Sequence, residues 1–420
     1  MSSPAVSVII PVYNAGAYLE QALVSLAAQT LQDFEVICID DGSDDDSFDI
    51  LKRYRDEGTF HALTILTQRH LGPGRARNRG LEEASGTYVL FLDADDFIEP
   101  DLLERAVGRA EDLAADIVIW DVWYYNNRAG RDQHPAVGTL EFPAYVDIDE
   151  QDKKTFRASD NPEAIFTSFQ NWPWNKLFRR AFIEEHGLRF PGLFRTEDLP
   201  FTCSALVLAE RMAVIYDRLS HYRMRTGSSS MDTKDRHAKD FIEAFVQLKE
   251  SLTSLGLYET YRTSYVRWAL GGAVYNLNSL TMPRAFSEAF EALHRGGLER
   301  MGLLDVPLET FTNELDRQSL RLIDTGNSIA YLFFWMRNHN VFADDHKETV
   351  DILEAELDAA REATRRTSEQ LARKINELDA TRADLDATEE ELDRLQRSAE
   401  YRYGTKLLRI PRAIQRRLRG

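Results

Sequence analysis

The first hundred residues predict an α/β fold, and three observations carry that expectation. Short β-branched runs alternate with segments of helical periodicity, Gly, Asn and Asp separate them, and the runs end abruptly in polar or acidic residues. Alternation of this kind implies a parallel sheet with helices on both faces.

Val6 to Val12 reads as a central strand, ended by Tyr13, Asn14 and Gly16, and Ala17 to Gln29 as a helix with Tyr18, Leu19, Ala22, Leu23 and Leu26 at helical spacing. Phe34 to Ile39 is a second strand that runs into Asp40, Asp41, Gly42 and Ser43. Ser47 to Tyr54 follows as a helix and Leu63 to Leu66 as a third strand. Gly72, Pro73 and Gly74 then lead through Arg75, Arg77 and Asn78 toward Leu81 and Ala84. The fourth strand begins at Thr87 and ends in Asp93, Ala94, Asp95 and Asp96. The strand ends at Tyr13, Asp41 and Asp95 should gather on one edge, where open α/β sheets bind ligands.

Asp93 and Asp95 are two residues apart and share a side in extended backbone, so their hard oxygens suit Mg²⁺ or Mn²⁺. The acidic run read alone equally suits a solvated turn before the helix that Pro100 opens. An EF-hand is excluded, since no glycine or distal glutamate follows at the required spacing. Gly72 to Gly80 lacks the third glycine of a dinucleotide fingerprint and follows the third strand. That segment could instead offer backbone amides and Arg75 or Arg77 to a phosphate, or be a solvated basic helix.

The 420 residues allow two or three domains, and a 43% hydrophobic share can bury a core. A formal charge of −18 argues against a nucleic-acid binder. Cys38 and Cys203 sit in apolar runs and read as buried free thiols of a reducing compartment. The N-terminus lacks a basic region and a small-residue cleavage site, so it reads as a strand and not a signal peptide. The apolar run Ile329 to Met336 is too short to span a bilayer. Those features point to a cytoplasmic protein whose membrane contact is peripheral.

In this order and spacing PVYNAGAYL, IDDGSDDDS, GRARNRG and FLDADD resemble the family 2 glycosyltransferases of the GT-A fold. The resemblance extends to about residue 230 through Trp174, Asn175, Lys176, Leu177 and Phe178, then Glu197 and Asp198, then Tyr222, Arg223, Arg225 and Ser228. It implies a Rossmann-like nucleotide-sugar domain of the non-processive bacterial type. A processive synthase would carry QxxRW, whereas here Ser264 stands where the glutamine belongs before Arg267 and Trp268, and Trp268 reads as a core aromatic.

By that resemblance Asp95, with Asp93 or Asp96, positions the metal and the donor ribose, and Asp41 receives the nucleotide base. Pro11, Tyr13 and Asn14 line the same pocket, with Arg75 and Arg77 near the donor. The metal ligands are then Asp95 and Asp96, and the cofactor is Mn²⁺ or Mg²⁺. Asp198 is the expected base, because an acceptor hydroxyl must lose a proton as it attacks. A helix N-cap is the competing reading of Glu197 and Asp198. Trp174, Asn175, Lys176 and Glu197 are the expected acceptor side, although Trp172 and Trp174 equally suit a core. His221, a lone histidine, reads as structural.

The expected reaction is inverting transfer from a nucleotide-diphosphate sugar, UDP-sugar foremost, to a glycan or glycolipid hydroxyl in cell-surface polysaccharide or cell-wall glycopolymer synthesis. A sugar-nucleotide nucleotidyltransferase is the alternative, but PVYNAG offers no phosphate cradle after the first strand. A non-catalytic membrane scaffold with a degenerate domain would not explain polar ligands at three strand ends.

The division expected is a catalytic domain over 1–230, a helical domain over 231–347, a coiled coil or long charged helix over 348–398, and a basic amphipathic tail over 399–420. Phe241, Phe245, Leu248, Leu252, Tyr261 and Tyr265 carry the helical spacing. Leu357, Leu371, Leu378, Leu385 and Leu392 fall on a heptad column through which two chains could pair, although the partner column is polar and a solitary helix suits it too. In the tail Arg402, Lys406, Arg409, Arg412, Arg416, Arg417 and Arg419 alternate with aliphatic residues, a pattern suited to an anionic membrane surface or to a solvated end.

Overall fold

The structure, a computed structural model, describes residues 3–127, 130–133, 155–224 and 234–339, with isolated helical positions between 374 and 394. The heptad column, the basic tail, Arg225 and Ser228 lie outside the described residues. Met1–Leu332 forms one compact unit and Phe333–Gly420 a second.

The expected alternation is present. β1 (Val6–Val12), α1 (Gly16–Ala27), β2 (Phe34–Asp40), α2 (Ser47–Asp56), β3 (Leu63–Thr67), α3 (Pro73–Glu83) and β4 (Tyr88–Phe91) follow in that order. β1 pairs in parallel with β2 and β4, and β2 with β3. The first two strands and the fourth are buried on both faces, which is why they read as continuous apolar runs. Val8, Ile10 and Cys38 face the core that holds Leu23 of α1 and Leu51 of α2. On the opposite face, α3 presses so closely that a Cβ on Gly80 would stand 2.4 Å from Cγ2 of Ile9.

α1 stops two residues short of Gln29, and that side chain has another task. Its Nε2 donates to the Glu99 carbonyl at 2.8 Å and its Oε1 accepts from the Leu103 amide at 3.0 Å. It thereby ties the end of α1 to the start of the helix that opens at Leu102.

Beyond β4 the sheet departs from a purely parallel arrangement. The later elements are β5 (Phe97–Ile98), α4 (Leu102–Leu113), β6 (Ile117–Asn126), β7 (Arg131–Gln133), α5 (Ile165–Ser168), β8 (Lys176–Arg179), α6 (Arg180–Glu185), α7 (Asp198–Leu208) and β9 (Met212–Met224). Strand order is β3-β2-β1-β4-β8-β6-β9-β5, with β7 on β6. The tryptophan-containing segment supplies β8, which enters antiparallel to both β4 and β6. Phe91, Phe178, Phe190 and Phe201 pack there, with ring centroids 4.0 to 6.0 Å apart along the contacts.

Helices follow: α8 (Asp240–Ser254), α9 (Tyr258–Ser279), α10 (Pro283–Ala292), α11 (Leu298–Arg300), α12 (Glu314–Asp324) and α13 (Ser328–His339). Phe241, Phe245, Leu248, Leu252, Tyr261 and Tyr265 are buried, as their spacing predicts. Trp268 packs on Phe166 and Phe245 and is only half-buried. Ser264, where a processive enzyme would carry glutamine, is buried and accepts from the Phe166 amide at 2.9 Å. Cys38 and Cys203 are buried free thiols. Among the described residues no helix is long and apolar enough to cross a membrane.

Candidate active site

The ends of β1, β2 and β4 open into a cavity of about 440 Å³ lined by Pro11, Tyr13, Asp41, Arg77, Asp93, Asp95 and Glu197, among others. The gathering of Tyr13, Asp41 and Asp95 on one edge is therefore what the fold delivers.

Asn14 takes a left-handed backbone, φ +48°, which asparagine tolerates at low cost, and turns the chain out of β1. Its Oδ1 accepts from the Asp44 amide at 2.9 Å, and its own amide donates to Ser43 Oγ at 3.0 Å. The turn after β1 is thus stitched to the loop after β2, but Asn14 lies outside the cavity lining.

Asp41 is buried and accepts four hydrogen bonds, which offset the cost of burying its charge. Gln68 Nε2 and the Leu71 amide reach Oδ1 at 2.7 and 2.8 Å, while the Gly72 amide and His70 Nδ1 meet Oδ2 at 2.8 and 2.9 Å. One carboxylate so fixes the loop between β3 and α3. The same loop stacks His70 on Tyr13, centroids 3.8 Å apart, with Tyr13 44% exposed. Phe194 adjoins His70 and stacks on His237 at 4.7 Å, continuing the aromatic wall.

A second group of lining residues is ionic. Arg77 is buried and donates from Nη2 to Asp93 Oδ1 at 2.7 Å and from Nη1 to Glu197 Oε1 at 2.6 Å. Burial works against its charge, but the two carboxylates outweigh it and keep Arg77 protonated. Burial raises the Glu197 carboxyl above its usual range against the pull of Arg77. Asp198 goes up to about 8, through burial first and the neighbouring Glu197 charge second. Asp198, the expected base, stands next to Glu197 but outside the cavity lining, where Asn171 Nδ2 donates to its Oδ1 at 3.2 Å.

Glu197 occupies the position before α7 but makes no capping hydrogen bond, so its carboxylate serves the ion pair and not the helix. Thr196 before it is held at φ +60°, a conformation that costs a β-branched residue on the order of 1–3 kcal/mol and aims the Glu197-Asp198 pair.

The three aspartates of the acidic run separate. Asp93 and Asp95 line the cavity, whereas Asp96, expected beside Asp95 as a metal ligand, does not. Asp96 is buried and accepts the Arg223 amide at 2.8 Å, while its Oδ2 has no hydrogen-bond partner among the described residues. Burial, then Asp95 and Asp93, push its carboxyl well above the carboxylate range. Arg223 clamps this turn: its Nε donates to the Asp95 carbonyl at 2.7 Å, and its guanidinium lies over Tyr18, Phe97 and Tyr125 at 4.9 to 5.4 Å.

Other expected residues lie off the cavity. Arg75 is exposed outside the lining. Asn175 is buried and donates to the Trp120 carbonyl. Lys176 is buried, with Nζ donating to the Gln170 and Trp172 carbonyls and Asn175 Oδ1, each at 2.8 Å, and burial lowers its pKa to about 7. Trp174 is 4% exposed. His221 is held between Asp132 and Glu99 on the face of Phe97. His70, Phe194, Arg236 and His237 also line the cavity, although no motif marks them in the sequence. His70 stands two residues before the Gly72 turn at a strand end, a usable signal; the others come from segments distant in sequence.

Residues 7–187 match the family model described as glycosyl transferase family 2. EpsH of Bacillus subtilis (strain 168) is 32% identical over 264 residues, 62% of this chain and 69% of that protein. The poly(ribitol-phosphate) beta-N-acetylglucosaminyltransferase TarS of Staphylococcus aureus (strain Mu50) is 27% identical over 264 residues, 61% of this chain and 42% of its own length. The crystal structure of S. aureus TarS superposes with a TM-score of 0.58 at 23% identity, covering 78% of this chain and 54% of that one. TarS 1–349 in complex with UDP-GlcNAc gives 0.51 at 22% identity, covering 78% and 89%. The fold is thus GT-A, and the chain belongs to glycosyltransferase family 2.

Proposed function

We propose that this glycosyltransferase moves a sugar from a nucleotide-diphosphate sugar, UDP-sugar foremost, to a hydroxyl of a glycan or glycolipid in cell-surface polysaccharide or cell-wall glycopolymer synthesis. One observation carries the reading. Asp41, Asp93 and Asp95 from two strand ends share a cavity with the Arg77–Glu197 pair, and Asp198 adjoins that pair. A donor needs its base, ribose and diphosphate held on one side and a proton acceptor on the other. The UDP-GlcNAc complex of TarS supports a uridine donor by analogy of fold.

Asp41 orders the loop that presents His70, and the exposed Tyr13 face gives a flat base a surface on which to stack. Asp93, fixed by Arg77, and Asp95 face the sugar-phosphate. Asp198 accepts the proton from the acceptor hydroxyl, with Asn171 orienting its carboxylate. Attack opposite the diphosphate inverts the anomeric carbon.

Among the described residues no group of three or more His, Cys, Asp or Glu could hold a metal alone. Asp95 and Asp93 still fit Mg²⁺ or Mn²⁺, because such ions take one or two carboxylates and complete their shell with phosphate oxygens and water. A cation bound there would supply positive charge against the growing charge of the diphosphate.

The proposal extends to the segments outside the described residues: pairing of chains through 348–398, and attachment of 399–420 to an anionic membrane from the cytoplasmic side. Incubating the full chain with a panel of sugar nucleotides and Mn²⁺, and following release of nucleoside diphosphate, tests the central reading. No release from any donor would sink it.

A further inference from the structure

Trp172, Trp174 and Tyr222 lie with nearly parallel planes. Their centroids are 4.8 Å apart for Trp172–Trp174, 5.7 Å for Trp172–Tyr222 and 5.4 Å for Trp174–Tyr222, with interplanar angles of 14°, 18° and 7°. Trp174 is the buried backing, whereas Trp172 and Tyr222 are half-buried. The set joins two places. Tyr222 lines the cavity, and Asn171, next to Trp172 in sequence, donates to Asp198. Tyr124 meets Tyr222 edge-on at 5.8 Å. Tyr275 of α9 is 60% exposed, and its phenol lies within electrostatic range of Tyr124, Tyr222 and Arg195.

A half-buried pair of parallel aromatic faces beside the cavity suits a pyranose, whose axial C–H face packs on an aromatic face while its hydroxyls stay at the edge. A ring lying on Trp172 and Tyr222 would have hydroxyls toward Asp198. A polyol phosphate offers no flat apolar face to such a surface.

Resting on the transfer reading above, we propose that Trp172, Tyr222 and Tyr275 form the acceptor subsite and that it takes a pyranose-terminated glycan. The helices after residue 234 then contribute to acceptor choice through Tyr275.

The test is tryptophan fluorescence of the full chain with UDP present, titrated with the methyl β-glycosides of glucose, galactose, N-acetylglucosamine and N-acetylgalactosamine, and separately with a ribitol-phosphate oligomer. A saturable change with at least one pyranoside is expected. Trp172→Ala should weaken it about tenfold, about 1.4 kcal/mol, Trp172→Phe should restore most of it, and Tyr275→Ala should weaken it as well. Tyr275 is exposed, so that variant decides the matter should Trp172→Ala fail to fold. Absence of response to every pyranoside, an equal response to the oligomer, unchanged affinity in Tyr275→Ala, or a parallel loss of UDP affinity by calorimetry would each overturn the assignment. Saturable pyranoside binding without turnover of any sugar nucleotide would remove the transfer reading and leave the subsite standing.

Discussion

Arg77 is bound at once to Asp93 and Glu197, at 2.7 and 2.6 Å, so one buried cation couples the end of β4 to the start of α7. Removing it strands two carboxylates in a low-dielectric wall, and breaking a buried pair costs about 3–5 kcal/mol. Arg77→Met should therefore lower unfolding free energy by about that amount in urea titration. Arg77→Lys should recover part of the stability but little transfer, because an ammonium cannot present the fork that reaches both carboxylates. An Arg77→Met protein as stable as the parent would show that the pair carries no structural weight.

Gly80 marks where α3 meets the sheet. An added methyl would stand 2.4 Å from Ile9 Cγ2 and 3.0 Å from Ile39 Cδ1. Overpacking there costs about 1–3 kcal/mol. Alanine returns up to about 1 kcal/mol in helix propensity. Gly80→Ala is thus expected to lower the unfolding temperature, and a rise in calorimetry would mean the α3 contact is looser than the structure has it.

The first half of the sheet was legible because both faces of its strands are buried, so β1, β2 and β4 read as unbroken apolar runs. β8 and β9 were not, since Lys176 and Arg223 are buried basic side chains inside strands and only tertiary partners explain them. The acidic run was read correctly as a strand end. Its division, with Asp95 toward the cavity and Asp96 beneath Arg223, depends on a turn that alternation alone does not describe. The aromatic wall escaped notice because His70, Phe194 and His237 lie in three distant segments.

Asp95 is the carboxylate whose loss bears most directly on the metal. Asp95→Asn keeps the shape and removes the charge, so transfer should fall by about a hundredfold or more and respond weakly to added Mn²⁺. Excess chelator should silence the parent enzyme. Full parent activity in chelator would remove the cation from the reaction.

Asp198 should impose opposite pH trends on activity and stability. Its carboxyl, ordinarily near 3.8, is raised to about 8 by burial and by Glu197. Between those two values the folded chain keeps a proton that the unfolded chain has released, so stability is highest near the lower value and falls as pH climbs toward about 8. The base is competent only after losing that proton, so kcat/KM should climb over the same upper range. Asp198→Asn is neutral at every pH and should flatten the stability trend and abolish transfer, with sugar-nucleotide affinity retained by calorimetry. A stability slope that persists in Asp198→Asn would make Glu197 the titrating group. Lost donor affinity would instead assign Asp198 to the donor pocket, leaving the proton acceptor to be sought in Glu197, the other carboxylate of the pair.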